Sequence, residues 1–262
     1  MAFFQKTEED IKKEIEKKIN RLIKAGKTKE AEEFTKFHEQ EDLKDAFFNK
    51  LFMWGHTNDK EKRRQLFKEA ANLAKNIYGL EGWPNDAKTF WDVESYGWLL
   101  RIPKDIREFI KKDLLSRIDT KKSNLSLGCG SYPYIENSVL VDFSENMLNS
   151  VPNEMAKEKV LHNLEDKTLP FKDNSFDSVN LVFVVDYIQN LKNLFKEIKR
   201  VLKKNGKLVI VQSKEPIDEF YRTQEVRHLA GMDLKKLLIG FCVTIDEKQI
   251  GNKVLVFVEA KV

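Results

Sequence analysis

The stretch NLSLGCGSYP, residues 124–133, joins a short apolar run to two closely spaced glycines. Glycine accepts left-handed backbone and lets the main chain approach a ligand, so Gly128 and Gly130 read as a tight turn at the carboxyl end of a strand. Open α/β sheets bind their ligands at that end. A dinucleotide fingerprint of the GxGxxG kind requires a third glycine where this chain has Pro133. Proline also removes one backbone donor from any phosphate. The loop therefore suits an uncharged or zwitterionic ligand better than a pyrophosphate.

Downstream, SVLVD, KVLHN, SVNLVFVV and KLVIVQS are further apolar runs separated by helical stretches. Strands alternating with helices predict an α/β domain with a mainly parallel sheet covered on both faces. The last two runs, FCVTIDE and NKVLVFVEAKV, are joined by the short segment KQIG, which predicts a hairpin and one antiparallel strand. Only eleven residues separate Gly130 from Asp142, too few for a strand plus a full helix. The first crossover helix is therefore expected to be short or absent. The second run ends in VDFSENML, residues 141–148. Asp142 there either accepts the hydroxyl hydrogens of a ribose or caps a helix beginning near Ser144.

Upstream of residue 120 the apolar residues recur at helical spacing. Ile11, Ile15, Ile19, Leu22 and Ile23 form a stripe closed by Gly26 as a C-terminal cap. A second helix is expected from Asn58, burying Leu66, Ala70, Leu73, Ala74 and Ile77 before Gly79. A third opens at Pro103 and presents Ile106, Phe109, Ile110, Leu114 and Ile118. We thus divide the chain into a helical region, residues 1–118, and a sheet domain, residues 119–262. Trp83, Phe90, Trp91, Tyr96 and Trp98 crowd into one segment between the second and third helices. Such a cluster serves either as core packing or as a ligand wall.

Two cysteines, Cys129 and Cys242, are too few for a disulfide framework and point to a reducing compartment. His38, His56, His162 and His228 show no metal-binding spacing, and no metal is expected. The polar N-terminus lacks a secretory core, and no apolar run approaches the roughly 20 residues of a membrane span. A soluble cytoplasmic protein without membrane attachment is the expectation. A net charge of +4 on a chain that is 34% charged is modest for gripping a phosphate backbone.

Four ordered blocks, SLGCG, VDFSENML, HNLEDKTLPFKDNSFDSV and FKEIKRVLKKNGKLVIV, resemble the class I S-adenosylmethionine-dependent methyltransferases. The likeness is to the small-molecule-type subgroup, covers roughly residues 120–215, and extends less specifically to the C-terminus. It implies a Rossmann-like methyltransferase fold and S-adenosylmethionine as cofactor. Carried over residue by residue, it implies that Gly128 and Gly130 lie under the methionine part and that Asp142 binds the ribose hydroxyls. Phe143 and Met147 would border the adenine, while Asn163 and the Leu164 amide would meet its amino group. Phe183 and Val184 would face the reactive methyl group. Asp177 is expected to fix the turn into its strand.

The departures also carry information. Ser126 stands where an acid commonly supports the cofactor's amino group. Asn163 replaces an Asp, which keeps an acceptor oxygen and loses a charge. VVDYIQN occupies the place of a Glu-His pair, so chemistry there falls to Asp186 as a candidate base and Tyr187 as a positioning donor, or both simply end the strand. Methyl transfer from a sulfonium chiefly requires proximity, and a base only when the nucleophile arrives protonated.

The acceptor is expected to be a small molecule held between the aromatic region, with Trp91 and Tyr96, and the insert around Tyr221, Arg222, Arg227 and His228. The alternatives are an RNA or protein methyltransferase docking through its Lys-rich helices, and a non-catalytic cofactor-binding module. The NPPY-like signature of enzymes acting on exposed base amines is missing. The acceptor's identity and the oligomeric state are not legible.

Overall fold

The computed structural model describes residues 8–215, 228–229 and 231–262. The chain divides into two compact units, Met1–Phe90 and Trp91–Val262.

In the first unit four helices run in sequence: α1 (Glu8–Lys24), α2 (Thr28–Glu39), α3 (Glu41–His56) and α4 (Lys60–Ala74). Gly26, at φ +72°, ends α1 as its position predicts. The Lys27 amide reaches back to Leu22 O and the Gly26 amide to Ile23 O, both at 3.0 Å, which satisfies carbonyls the helix leaves open. Helix α4 starts one residue later than Asn58 suggests, because Asp59 is the better placed cap, accepting from the amides of Glu61 and Lys62. Leu66, Ala70, Ala74 and Ile77 are buried as their spacing requires, whereas Leu73 is only half-buried and Ile77 lies just past the end of α4. Trp83 belongs to this core, its ring 5.1 Å from both Phe47 and Phe67. Two members of the aromatic segment, Trp83 and Phe90, are thus buried core residues of the first unit.

Helix α5 (Ala87–Glu94) crosses the boundary, and α6 (Trp98–Arg101) and α7 (Lys104–Arg117) precede the sheet. Among the described residues seven strands form one sheet: β1 (Asn124–Leu127), β2 (Ser138–Asp142), β3 (Ala156–Leu161), β4 (Phe176–Val182), β5 (Leu202–Ser213), β6 (Cys242–Ile250) and β7 (Lys253–Lys261). Their order is β3-β2-β1-β4-β5-β7-β6, with β1 to β5 parallel and β7 antiparallel to both neighbours. The hairpin is tighter than KQIG implies. Lys248, Gln249 and Ile250 continue β6, and only Gly251 and Asn252 turn the chain. Residues 128–137, all described, hold no helix between β1 and β2, as the short spacing predicts.

Both faces of the sheet are covered. On one, α9 (Leu191–Val201) and α10 (Gly231–Leu237) bury Leu194, Phe195, Ile198 and Leu234 against Leu125, Leu181 and Ile210. On the other, α7 packs Ile106, Ile110, Leu114 and Ile118 with Val209, Val211 and Phe257. The compact boundary therefore falls at residue 90, well before 118. The α7 stripe is one half of the sheet's own core. An ion network pins the same helix: Asp113 accepts from Arg117 Nε at 2.5 Å and from Lys248 Nζ, and Arg117 also donates to Asp246 at 2.8 Å. Among the described residues, no helix is long and apolar enough to cross a membrane.

Candidate functional site

The site is built where β1 and β2 end. Gly128 and Gly130 take φ of +62° and +57°, a region that L side chains rarely adopt. Gly128 is required for a second reason. A Cβ added there would lie 2.7 Å from Val184 Cγ2, so the loop runs directly beneath Val184, two residues past the end of β4. The Cys129 amide bonds Val141 O at 3.1 Å and ties the loop to β2.

Asp142 closes the arrangement. Its Oδ2 accepts from the Gly130 amide at 2.9 Å and its Oδ1 from the Ser144 amide at 3.0 Å. Burial pushes its carboxyl above the ordinary range, against the pull of the Ser144, Gly130 and Phe143 amides, while the nearby Asp92 charge pushes it further up. Helix α8 (Glu145–Ser150) is capped by Ser144, whose Oγ accepts from the Met147 amide at 3.2 Å. The capping alternative for Asp142 therefore goes to Ser144. With three amides on two oxygens that offer about four lone-pair sites, the carboxylate keeps capacity for a further hydrogen bond.

Around this carboxylate, Met147 is buried, with its Sδ 4.0 Å from a Cβ built on Gly130, and Phe143 is half-buried. Asn163 is exposed and uses Oδ1 to accept from the Glu165 amide at 3.0 Å, while Leu164 is buried. Ser131, next in the glycine loop, buries its hydroxyl without a hydrogen-bond partner among the described residues. Leaving such a group unpaired is costly, and a polar ligand atom would satisfy it.

Ser126 lies inside the sheet. Its hydroxyl donates to Asn180 Oδ1 at 3.0 Å, one rung of a buried polar ladder in which Ser178 donates to Asn124 Oδ1 at 2.5 Å. Asp177 fixes the entry to β4 as expected, accepting from the Ser123 amide and from Lys203 Nζ. At the other end of β4, Phe183 has φ +58°, an uncommon conformation for an aromatic residue, and its amide donates to Val211 O at 2.9 Å. Its side chain packs with Ile102, Tyr134 and Phe257, whereas Val184 lies over Gly128.

Asp186 follows in a one-turn 3-10 helix and has a partner on each oxygen. Oδ1 accepts from the Leu229 amide at 2.9 Å, and Oδ2 lies 3.3 Å from His228 Nδ1. The other ring nitrogen of His228 is 2.7 Å from Lys214 O. Burial raises the Asp186 carboxyl, opposed by hydrogen bonds from Leu229, His228 and Gln212. Tyr187 packs edge-on against Trp91 with centroids 4.9 Å apart, and Trp91 against Trp98 at 5.3 Å. The Trp98 indole Nε1 is 3.3 Å from a Cβ built on Gly130. One aromatic surface thus runs from the end of β4 to the glycine loop. Tyr96 is exposed, and Tyr221, Arg222 and Arg227 lie outside the described residues.

Sequence reasoning did not single out Ser144, Ser131 or Asp92 for this site, and left Trp98 open between core packing and a ligand wall. The serine in VDFSENML carries an N-cap signal of its own, overshadowed by the neighbouring acid. Asp92 meets Ser144 across 52 residues, a pairing no local pattern announces.

The order of the strands, with β7 inserted antiparallel beside β5, and a glycine loop facing an acid at the end of β2 define a Rossmann-like sheet of the methyltransferase type. Residues 125–210 match the family model described as a methyltransferase domain. That match spans about a third of the chain and makes this stretch similar to a methyltransferase domain. Among curated proteins, a demethylmenaquinone methyltransferase from Listeria welshimeri is 41% identical over 81 residues, 29% of this chain and 34% of that protein. An uncharacterized protein from Methanocaldococcus jannaschii is 36% identical over 105 residues, 37% of this chain and 44% of that one. The chain thus spans between about a third and a half of the length of these relatives. Among solved structures, the complex between a Haloferax volcanii methyltransferase activator and a methyltransferase matches with TM-score 0.54 at 14% identity, over 65% of this chain and 96% of that one. Phosphoethanolamine N-methyltransferase 2 of Haemonchus contortus, in complex with S-adenosyl-L-methionine, matches with TM-score 0.54 at 15% identity, over 67% of this chain and 58% of that one. At such identities the two structures establish the fold.

Proposed function

We propose that the protein is an S-adenosylmethionine-dependent methyltransferase acting on a small-molecule acceptor. The observation that carries this reading is the Asp142 carboxylate, buried at the end of β2 and held by the amides of Gly130 and Ser144. The residues present fit the cofactor. Gly128, Gly130 and the unpaired hydroxyl of Ser131 would hold its methionine part. Asp142 would accept from the ribose hydroxyls, and Phe143, Met147, Asn163 and Leu164 would surround the adenine. When bound, the cofactor supplies a methyl group already activated on a sulfonium.

The chain's own residues then have little bond-making to do, and their work is alignment and exclusion of water. Val184, pressed on Gly128, and Phe183, packed behind it, would border the reacting carbon and help exclude water from it. Trp91, Trp98 and Tyr187 form the wall against which an acceptor is desolvated. Of the residues ahead of β1, those from Trp91 onward therefore carry acceptor recognition, together with the insert that includes Tyr221 and Arg222. Asp186 is bonded on both oxygens, so we assign it to anchoring Leu229 and His228, and proton removal to the acceptor's own ionisation or to solvent. Ser126 supports the loop from within the sheet. The likeness to demethylmenaquinone methyltransferases over 81 residues supports a small-molecule acceptor.

The test is transfer of label from methyl-labelled S-adenosylmethionine into separated fractions of a cell extract. Label in the small-molecule fraction is expected. Incorporation confined to RNA or to protein would overturn the acceptor class.

A further inference from the structure

Two backbone amides hold the Asp142 carboxylate, and each is backed by a residue from the segment 91–98. Behind Gly130 stands the Trp98 indole, 3.3 Å from a Cβ position on that glycine. Behind Ser144 stands Asp92, the sixth residue of α5. Ser144 is fully buried, and its hydroxyl donates to Asp92 Oδ1 at 2.5 Å while accepting from the Met147 amide at 3.2 Å. A hydroxyl has one hydrogen to donate. With that hydrogen committed to a carboxylate, a charge-assisted bond, its lone pairs are left for Met147 and the turn is fixed in one orientation. Asn146 Nδ2 adds a second tie to Asp92 O at 3.4 Å.

We infer that Asp92 is a positioning residue of the cofactor site: through the Ser144 hydroxyl it orients the turn after β2, and thereby the Asp142 carboxylate, for the ribose. The inference rests on the proposed role of Asp142 as ribose acceptor. Asp92 lies outside residues 125–210, so the methyltransferase domain takes part of its cofactor geometry from the helical segment ahead of it. Without Asp92, Ser144 has a buried hydrogen and no acceptor. Either the hydroxyl rotates away from Met147 or the turn loosens, and both displace the amide on Asp142 Oδ1.

The experiment compares binding of S-adenosylhomocysteine and its 2′-deoxyadenosyl analogue to the full chain by calorimetry. The proteins are the wild type, Asp92→Ala, Asp92→Asn, Ser144→Ala and the double alanine variant, with melting temperatures taken without ligand. The wild type is expected to prefer the ribose compound by about tenfold or more. Asp92→Ala should lose most of that preference, Asp92→Asn, which keeps an acceptor oxygen, should retain it, and the double variant should be no worse than either single one. A general loss of stability would weaken both compounds equally and leave the ratio unchanged. A wild-type preference that survives in Asp92→Ala, or single effects that multiply in the double variant, would overturn the inference. No preference in the wild type would instead remove the ribose role of Asp142, and the role of Asp92 with it.

Discussion

Replacing Gly128 by alanine meets two separable obstacles. At φ +62° an L residue costs about 1–2 kcal/mol for its backbone alone. The new Cβ would also stand 2.7 and 2.9 Å from the two methyl groups of Val184, inside any real carbon–carbon contact. Val184 is β-branched, stiff at χ1 and packed into the core with Leu127 and Leu181, so it gives way only with difficulty. Overpacking of that kind costs about 1–3 kcal/mol, for a total of about 2–5 kcal/mol. Gly26 provides the control, with φ +72° and nothing within 4 Å of its Cβ position. Gly26→Ala should show the backbone part only. Adding Val184→Ala to Gly128→Ala should recover about 1–3 kcal/mol relative to the sum of the two single effects. Urea unfolding would measure the stabilities, and S-adenosylhomocysteine calorimetry would report displacement of the loop. Gly128→Ala no more costly than Gly26→Ala, or a double variant with no recovery, would refute the close approach as the reason for this glycine.

Three further outcomes follow from the same packing and electrostatics. Asp113→Ala should destabilise the sheet unit by about 2–3 kcal/mol, at or below the usual cost of breaking a buried pair, because Arg117 keeps Asp246. Burial would raise the Asp113 carboxyl, but Arg117 and Lys248 hold it below its ordinary value, so its contribution is full above about pH 4 and fades as pH falls through the lowered value. Urea midpoints of wild type and variant should therefore keep a constant gap from neutral pH to about 5 and converge in stronger acid. Asp186→Asn should lower turnover by less than about tenfold, whereas a loss of about a hundredfold or more at unchanged cofactor affinity would make Asp186 a general base. A chain beginning at residue 91 should stay monodisperse and bind S-adenosylhomocysteine, while one beginning at residue 119 strips α7 from the sheet and should aggregate in light scattering.

The sheet was legible because its strands are short apolar runs between turn residues, and the glycine loop and the acid opposite it because Gly128, Gly130 and Asp142 sit at consecutive strand ends. Gly26 marked its helix end for an equally local reason. The boundary at residue 90 was not legible, since composition changes where strands begin and the partner of the α7 stripe is set by tertiary packing. Helix α3 left little mark beyond a generally helical first half, because its apolar residues, Phe47, Phe52 and Met53 among them, are spread around the axis and not gathered in one stripe. Ser126 read as a weakened cofactor contact, yet its hydroxyl is committed to Asn180 on a neighbouring strand. Asp186 read as a candidate base for the same reason: its donors, Leu229 and His228, come from more than 40 residues away. Wherever a site residue is defined by a partner distant in sequence, residue type alone left its role open.

Isothermal titration of the purified protein with S-adenosylmethionine, S-adenosylhomocysteine and NAD decides whether the loop after β1 and Asp142 form the cofactor site. Saturable heats in the micromolar range are expected for the two adenosyl compounds and none for NAD, with Asp142→Ala weakening the adenosyl compounds by about 1.5–3 kcal/mol. Saturable binding of NAD in the absence of any binding of the adenosyl compounds would contradict the assignment.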